Sequence, residues 1–534
     1  MLKIRYYKIA VIATIIILFV LPTKLQAQKP NILLIIADDL GTDALNGFTN
    51  QTLKPITPTL DSLRAMGISF SNVWATPVCS STRASIMSGK HGSKTGVFGV
   101  PGNLDTSHIS VLRMLASETN DAYTKAVVGK WHISMPTNPN HPSMHGADFY
   151  TGFMDGFPAD YSSWQQTTNG VTITNTDYVT SVFTDSAISW TQKQTKPWFL
   201  WLAHAAPHTP FHVPPSQMYS IINTGNNTRQ FIAMIESIDY DINRLFASMS
   251  VTERENTLVI FIGDNGTSGS VLRDYPPMHG KSTVYEGGVR VPMIVAGSGV
   301  SRQGEREKAL IQVLDIYATV LEIAGVNLDG GLYNSLSFKH ILTGQPGDSR
   351  PYNYTEFKDG TGYSWAVRDN QYKLIQLANG SQEFYDLLTD SFEYNPIDMG
   401  SVTAQQQAVI ANLAQEANTV QTSWSCRDLI KNGDEEGIDC GGTMCSPCTN
   451  ALREAESQNL TIYPNPINGK LTIRSAEDLI LSICVFDASG KLLLEHSEQP
   501  MKEVSLELTD NVNQILYLHI KTRYGTVYKR IATW

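Results

Sequence analysis

Two acidic pairs stand directly behind apolar runs. Asp38-Asp39 follows Asn31–Ala37 (NILLIIA), and Asp264-Asn265 follows Thr257–Ile262 (TLVIFI) and one glycine. Three carboxylates and one amide oxygen are hard donors, suited to calcium or magnesium. Either pair alone reads equally as turn chemistry after a strand; two pairs at equivalent positions favour a metal site. Cys79 opens the string Cys79-Ser-Ser-Thr-Arg83, which runs into a helical stretch, Arg83–Met87, closed by Gly89. A cysteine at a helix start lies in the positive field of free backbone N–H groups, so it reads as a nucleophile or as a buried thiol. Lys130 and His132 follow Lys125–Val128 (KAVV), and His204 and His208 follow Trp198–Ala203 (WFLWLA), with His212 beyond. Lys281 precedes Glu286-Gly-Gly-Val-Arg290. Each of these taken singly would be structural or solvated. Together they put a basic residue behind nearly every candidate strand that lacks an acid. Such a set builds a cationic pocket around a divalent ion, and its ligand is a small tetrahedral oxyanion.

These residues need a scaffold that brings strand ends together. The short runs before them, with Val291–Ala296 (VPMIVA), are apolar on both faces, as strands of a covered parallel sheet are. The fold class is α/β, a mainly parallel sheet sandwiched by helices, and ligands of such sheets sit at the carboxyl ends of the strands. Thr57-Pro58 opens a helix that Gly67 closes, and Ala309–Ala324 reads as a second helix. Residues 28–349 form this core. Residues 350–424 read as a smaller α+β piece, with strands at Ser364–Arg368 and Lys373–Gln376 and a helix near Thr403–Ala417. Between Phe149 and Trp164, the rings of Tyr150, Phe153, Phe157, Tyr161 and Trp164 suit sugar stacking and suit a core equally well.

The ends of the chain carry different signals. Residues 1–27 have a basic start, an apolar run and a small-residue cleavage site, the pattern of a secretory signal. No other stretch is long and apolar enough to span a bilayer. Cys426, Cys440, Cys445 and Cys448 crowd into residues 425–449, where an exported chain forms two disulfides and zinc is the rival. Residues 450–459 are a polar linker. Residues 460–534 alternate strand and turn signals and form a small β-sandwich, in which Cys484 reads as a buried thiol. Across 534 residues the composition is 42% hydrophobic and 17% charged, which excludes disordered and fibrous classes. Lys plus Arg is 40 against 50 Asp plus Glu, a net charge of −10, so no basic excess is available to grip nucleic acid.

The motif order resembles the type I sulfatases, formylglycine-dependent members of the alkaline phosphatase superfamily, over roughly residues 29–400. Cys79-Ser-Ser-Thr-Arg83-Ala-Ser-Ile-Met-Ser-Gly89 is similar to the family signature, whose cysteine a maturation enzyme oxidises to formylglycine. Its third position is usually Pro or Ala; here it is Ser81. The resemblance implies one calcium ion held by Asp38, Asp39, Asp264, Asn265 and the modified Cys79. It implies that a hydroxyl of the hydrated aldehyde attacks sulfur beside Arg83, with Lys130 and Lys281 stabilising sulfate charge. His208 is placed like the acid that protonates the leaving alcohol, and His132 like the base that regenerates the aldehyde. Glu286 and Arg290 then support the site. The tail, with Ile462-Tyr-Pro-Asn-Pro, Val485-Phe-Asp-Ala-Ser-Gly490 and Tyr528-Lys-Arg-Ile, resembles the type A sorting domain of the type IX secretion system of Bacteroidetes. Export, with release or attachment at the cell surface, follows from that likeness. The expected substrate is a sulfated glycan, algal polymers such as ulvan, carrageenan or fucoidan being the natural candidates. Two alternatives stand beside it: a phosphodiester or phosphonate hydrolase of the same superfamily, and a non-catalytic protein that binds sulfated glycans.

Overall fold

The computed structural model describes residues 29–328, 332–422 and most of 460–532. The signal-like segment 1–27, the four clustered cysteines and the linker lie outside the described residues. The chain falls into two compact units, divided between Ser423 and Trp424.

The first unit is built on a ten-stranded sheet. In chain order its strands are β1 (Asn31–Ala37), β2 (Ile68–Trp74), β3 (Thr124–Lys130), β4 (Phe149–Phe153), β5 (Trp164–Thr168), β6 (Val171–Asn175), β7 (Trp198–Ala203), β8 (Thr257–Gly263), β9 (Arg290–Gly297) and β10 (Glu305–Gln312). They lie in the order β10-β2-β9-β8-β1-β7-β3-β4-β5-β6. The run β8-β1-β7-β3-β4 is parallel throughout, whereas β9 lies antiparallel between β8 and β2. β1 is central, with Leu34 opposite Trp201 of β7 and Ile260 of β8.

Every residue of β1, β7 and β8 is buried, which is why these runs lack polar alternation. The period of two still sorts the side chains. Ile32, Leu34 and Ile36 share one core with helices Cys79–Ser88, Val111–Thr119 and Asp315–Ile323. Leu33, Ile35 and Ala37 share the other with helices Pro58–Met66, Val179–Thr191 and Asn227–Ser248. The fold is therefore the α/β sandwich expected.

One expected helix is shorter than its periodicity suggested. Residues 309–312 finish β10, where Leu310 and Ile311 pair with Asn72 and Val73 of β2. The helix starts at Asp315, whose carboxylate accepts the Gln312 N–H at 2.8 Å. Sheet pairing along an existing strand outweighs the helical spacing of the apolar residues.

A second sheet follows: β11 (Asn353–Asp359), β12 (Gly362–Arg368), β13 (Tyr372–Gln376) and β14 (Gln382–Asp386), an antiparallel meander. Val367, Leu374 and Phe384 pack on the helix Ala404–Thr422 through Leu413 and Ala417. Their neighbours Ala366, Ile375 and Tyr385 face the other way, onto Trp74, Val284 and Val289. One face of this sheet thus braces the segment that follows Lys281.

The second unit holds a three-stranded and a four-stranded antiparallel sheet, and the inward residues of both share one apolar cluster. Cys484 departs from the buried thiol expected. Ile483 and Val485 take the core positions, so the strand's period of two leaves Cys484 half-buried on the outer face.

Candidate active site

The acidic pairs emerge at the same sheet edge because β1 and β8 are parallel neighbours in register, Ala37 opposite Gly263. Asp39 adopts a positive φ of 64°, which turns its N–H onto Asp264 Oδ1 at 3.0 Å. Asn265 Nδ2 donates to Asp39 Oδ1 at 2.8 Å. Asp38, Asp264 and Asn265 are fully buried, and Asp39 nearly so.

Cys79 arrives from a different direction. The extended Val78 (φ −144°, ψ 157°) precedes a helix that begins at Cys79 itself, four residues earlier than the sequence suggested. All ten residues of that helix are buried. Gly89 ends it in the left-handed region (φ 69°), its N–H bonded to Ser85 O, and a Cβ there would lie 2.9 Å from the Tyr317 ring. Ser81 is absorbed locally, its hydroxyl 2.5 Å from Thr76 Oγ1 and 3.1 Å from Val78 O. Cys79 Sγ lies 3.2 Å from His132 Nδ1. It also lies with carboxylate oxygens of Asp38 and Asp264 in a group whose donor atoms are all within 4.8 Å of one another.

Three cations face the three carboxylates. Lys130, the last residue of β3, puts Nζ 2.6 Å from Asp38 Oδ2. Arg83, one turn along the helix from Cys79, contacts Asp264 Oδ2 through Nη2 at 2.7 Å. Lys281 Nζ lies 2.5 Å from Asp39 Oδ1, and its backbone N–H is tied to Thr267 O. His208 comes from the loop after β7, with Nε2 3.6 Å from Asp39 Oδ2. All ten residues singled out in the sequence therefore converge on one place, the carboxyl ends of β1, β3, β7 and β8 together with the start of one helix.

The field of this cluster sorts the protonation states. Burial pushes the Asp39 carboxyl up, but His208 and Lys281 outweigh it and hold the group well below the usual range. Asp264 goes the other way, to about 6, because burial and the Asp38 charge outweigh Arg83 and Lys130. Burial, then the Lys130 and Arg83 charges, push the His132 imidazole far down, so it is neutral. Burial raises the Cys79 thiol. Two acceptors, Asp38 Oδ1 and Asn265 Oδ1, are buried with no hydrogen-bond partner. Buried oxygens without donors are costly unless a cation completes them. This donor set fits a hard divalent ion, and Asp38, Asp39, Asp264, Asn265 and residue 79 would hold it.

Residues 30–326 match the sulfatase family model. The chain belongs to the sulfatase family. Residues 277–423 match the model of the N-sulphoglucosamine sulphohydrolase C-terminal region, and residues 461–532 that of the secretion system C-terminal sorting domain. The uncharacterized sulfatase YdeN of Escherichia coli (strain K12) is 26% identical over 465 residues, covering 69% of this chain and 82% of that protein. An arylsulfatase of Hemicentrotus pulcherrimus is 25% identical, covering 74% and 78%. Among solved structures, Ps i-CgsB in complex with k-i-k-neocarrahexaose superposes with a TM-score of 0.63 at 26% identity, covering 74% of this chain and 95% of that one. This sulfatase is thus a sulfuric ester hydrolase with a type IX sorting tail. Among its described residues, no helix is long and apolar enough to cross a membrane.

The aromatic stretch 149–164 divides sharply. Tyr150, Phe153 and Trp164 are core residues, because β4 and β5 put them between sheet and helix. Tyr161, in the turn between those strands, is buried with its hydroxyl donating to Ala205 O and His208 O. Phe157 alone is half exposed, and it stacks on the His208 ring with centroids 5.2 Å apart. Of the two histidines that flank His208 in sequence, His204 is fully buried, and His212 is spent on Tyr178 and Pro210 O. Sequence reasoning missed Lys373 and Glu393. Together with Glu286 they form a buried group in which Lys373 Nζ lies 2.7 Å from Glu393 and 3.3 Å from Glu286. The available signal was a lysine in the inward row of β13, two residues before the buried Ile375.

Proposed function

We propose that this sulfatase is exported and removes sulfate from a sulfated polysaccharide or oligosaccharide, using formylglycine made from Cys79 and a calcium ion. The observation that carries this is Cys79 at the meeting point of Asp38, Asp264 and His132, with Arg83 one helical turn away. The carrageenan hexaose bound by the similar Ps i-CgsB favours an algal glycan as substrate. The sorting domain and the signal-like first 27 residues support export.

Formylglycine, as its hydrate, supplies a hydroxyl nucleophile for sulfur. Calcium, where bound, lowers the pKa of that hydroxyl and draws charge from the sulfate oxygens. The rest is done by side chains in place. Arg83, Lys130 and Lys281 balance Asp38, Asp39 and Asp264 charge for charge. A divalent ion then leaves room for two negative charges, those of the ester and of its attacker. Lys130 and Lys281 hold fixed positive charge where sulfate charge grows. His208 gives a proton to the departing sugar oxygen. Neutral His132, 3.2 Å from the residue 79 side chain, takes the proton when the aldehyde is regenerated.

The test is to coexpress the full chain with a formylglycine-generating enzyme, weigh the peptide containing residue 79, and assay sulfate release from carrageenan oligosaccharides. Exchange of one sulfur and two hydrogens for one oxygen, with sulfate released by the wild type and not by Cys79→Ala, is the expected result. A converted protein that cleaves phosphate diesters and no sulfate ester would overturn the reading. So would an unconverted thiol in a protein that only binds the glycan.

A further inference from the structure

A cavity of about 780 Å³ opens where β2, β9 and β10 meet β12 and the loop after β14. None of the residues gathered around Cys79 lines it. Four cations do: Arg290, Arg306, Lys308 and Arg368. The one acid among its lining residues is Glu286, whose Oε2 lies 3.5 Å from Arg368 Nη1 and 4.0 Å from Arg290 Nε. That carboxylate is already shared with Lys373. The acids nearest in sequence, Glu305 and Glu307, are both taken by Arg302. Among the described residues, Arg306 and Lys308 enter no ion pair. Arg306 is held by neutral oxygens instead, Nε on Ser71 Oγ at 2.7 Å and Nη1 on Gly47 O at 3.3 Å. The Arg290 and Arg64 charges add to burial in pushing its pKa down, a sign of unrelieved repulsion.

A chain of net charge −10 has no general reason to gather cations in one recess, and their mutual repulsion costs stability. Guanidinium groups with unspent N–H donors are the side chains that recognise sulfate and carboxylate by paired hydrogen bonds. The exposed Leu388 lies among the lining residues and offers an apolar surface beside Asn370 and Ser391, as a sugar ring needs.

From this geometry we infer that the Arg290–Arg306–Lys308–Arg368 cavity is a second binding site for a sulfated saccharide, holding a part of the polymer that is not being cleaved. It rests on the reading of the chain as a glycan sulfatase and adds a site that keeps the enzyme on a polyanionic chain between turnovers. Arg306 and Lys308 are exposed at the rim and make first contact, while Arg290 and Arg368 line the floor with Glu286 between them.

The experiment is affinity electrophoresis of the full chain in gels containing ι-carrageenan or heparin, each compared with a gel containing neutral dextran. The wild type is retarded by at least one of the sulfated polymers. Arg306→Glu/Lys308→Glu, a change of two exposed side chains, weakens that retardation by about tenfold in apparent Kd, as two lost surface contacts plus reversed charge require. His208→Ala keeps it. Hydrolysis of p-nitrophenyl sulfate, too small to span both sites, is unchanged in the double variant. No retardation of the wild type by either polymer, or equal retardation of wild type and double variant, overturns the inference. A wild type that is retarded but releases no sulfate from any ester would instead sink the proposed function and leave the cavity assignment standing.

Discussion

Arg83 gives two N–H groups to a single oxygen of Asp264: Nε at 3.0 Å and Nη2 at 2.7 Å both reach Oδ2. Its third nitrogen, Nη1, donates to Lys130 O at 2.8 Å. One side chain therefore ties the helix that carries Cys79 to the ends of β8 and β3. Asp264 Oδ1 is left for the Asp39 N–H, so the second acidic pair is oriented from both sides.

Removing Arg83 leaves Asp264 buried and unpaired. Breaking one partner of a buried ion pair costs about 3–5 kcal/mol, so Arg83→Ala should lower the unfolding free energy extrapolated from guanidinium denaturation by that much and abolish sulfate release. Arg83→Lys keeps the charge but not the fork, and should recover part of the stability with little of the activity. A loss below about 1 kcal/mol in Arg83→Ala, the scale of an exposed pair, would show that the clamp contributes little.

His208 is poised through its other nitrogen. Nδ1 lies 2.6 Å from Thr209 O, a contact that requires the proton on Nδ1, and Nε2 faces Asp39 Oδ2 at 3.6 Å. A proton carried on Nε2 is the one available to a leaving oxygen. A sugar alkoxide leaves poorly and gains about 10²–10⁴-fold from a positioned acid. His208→Ala should lose activity in that range on a glycan sulfate. On p-nitrophenyl sulfate, whose phenolate leaves unaided, it should lose far less. Equal losses on both substrates would remove His208 from the acid role and make it a binding residue.

The site was legible because its parts obey a rule the sequence displays. Asp38, Lys130, His208 and Asp264 all follow apolar runs, and a parallel sheet gathers such strand ends at one edge. What was not legible depended on pairings distant in sequence. The helix expected at 309–324 had the right spacing, but nothing in that spacing announces that Leu310 and Ile311 will pair with β2. In the sequence Lys373 reads only as the start of a strand and Glu393 is not singled out; what buries Lys373 is its pairing with Glu393 and with Glu286, which is distant in sequence. The aromatic stretch was left open between sugar stacking and a core for a related reason. Tyr150, Phe153 and Trp164 belong to two strands of the main sheet, so their rings fill a core, whereas Phe157 lies in the loop between those strands.

Asp43 supplies a pH dependence that can be read without metal or substrate. Its Oδ1 accepts from Thr267 Oγ1 at 2.5 Å and its Oδ2 from the Arg273 N–H at 3.0 Å, joining the loop after β1 to the loop after β8. Burial nevertheless raises its carboxyl to about 6, against the pull of those hydrogen bonds. The unfolded chain gives an aspartate its ordinary pKa of about 3.9. Between the two values the folded protein holds the proton and the unfolded chain does not. Asp43 therefore favours the folded state most at low pH, and that contribution is lost as pH rises from about 4 to about 6. Roughly two pKa units correspond to at most about 3 kcal/mol. Asp43→Asn cannot titrate, so any hydrogen bond it weakens shifts stability by a constant. Urea unfolding at intervals from pH 4 to pH 7.5 should show the variant gaining on the wild type up to about pH 6, with a constant difference above that. Parallel profiles across the whole range would mean that Asp43 keeps an ordinary pKa in the folded protein.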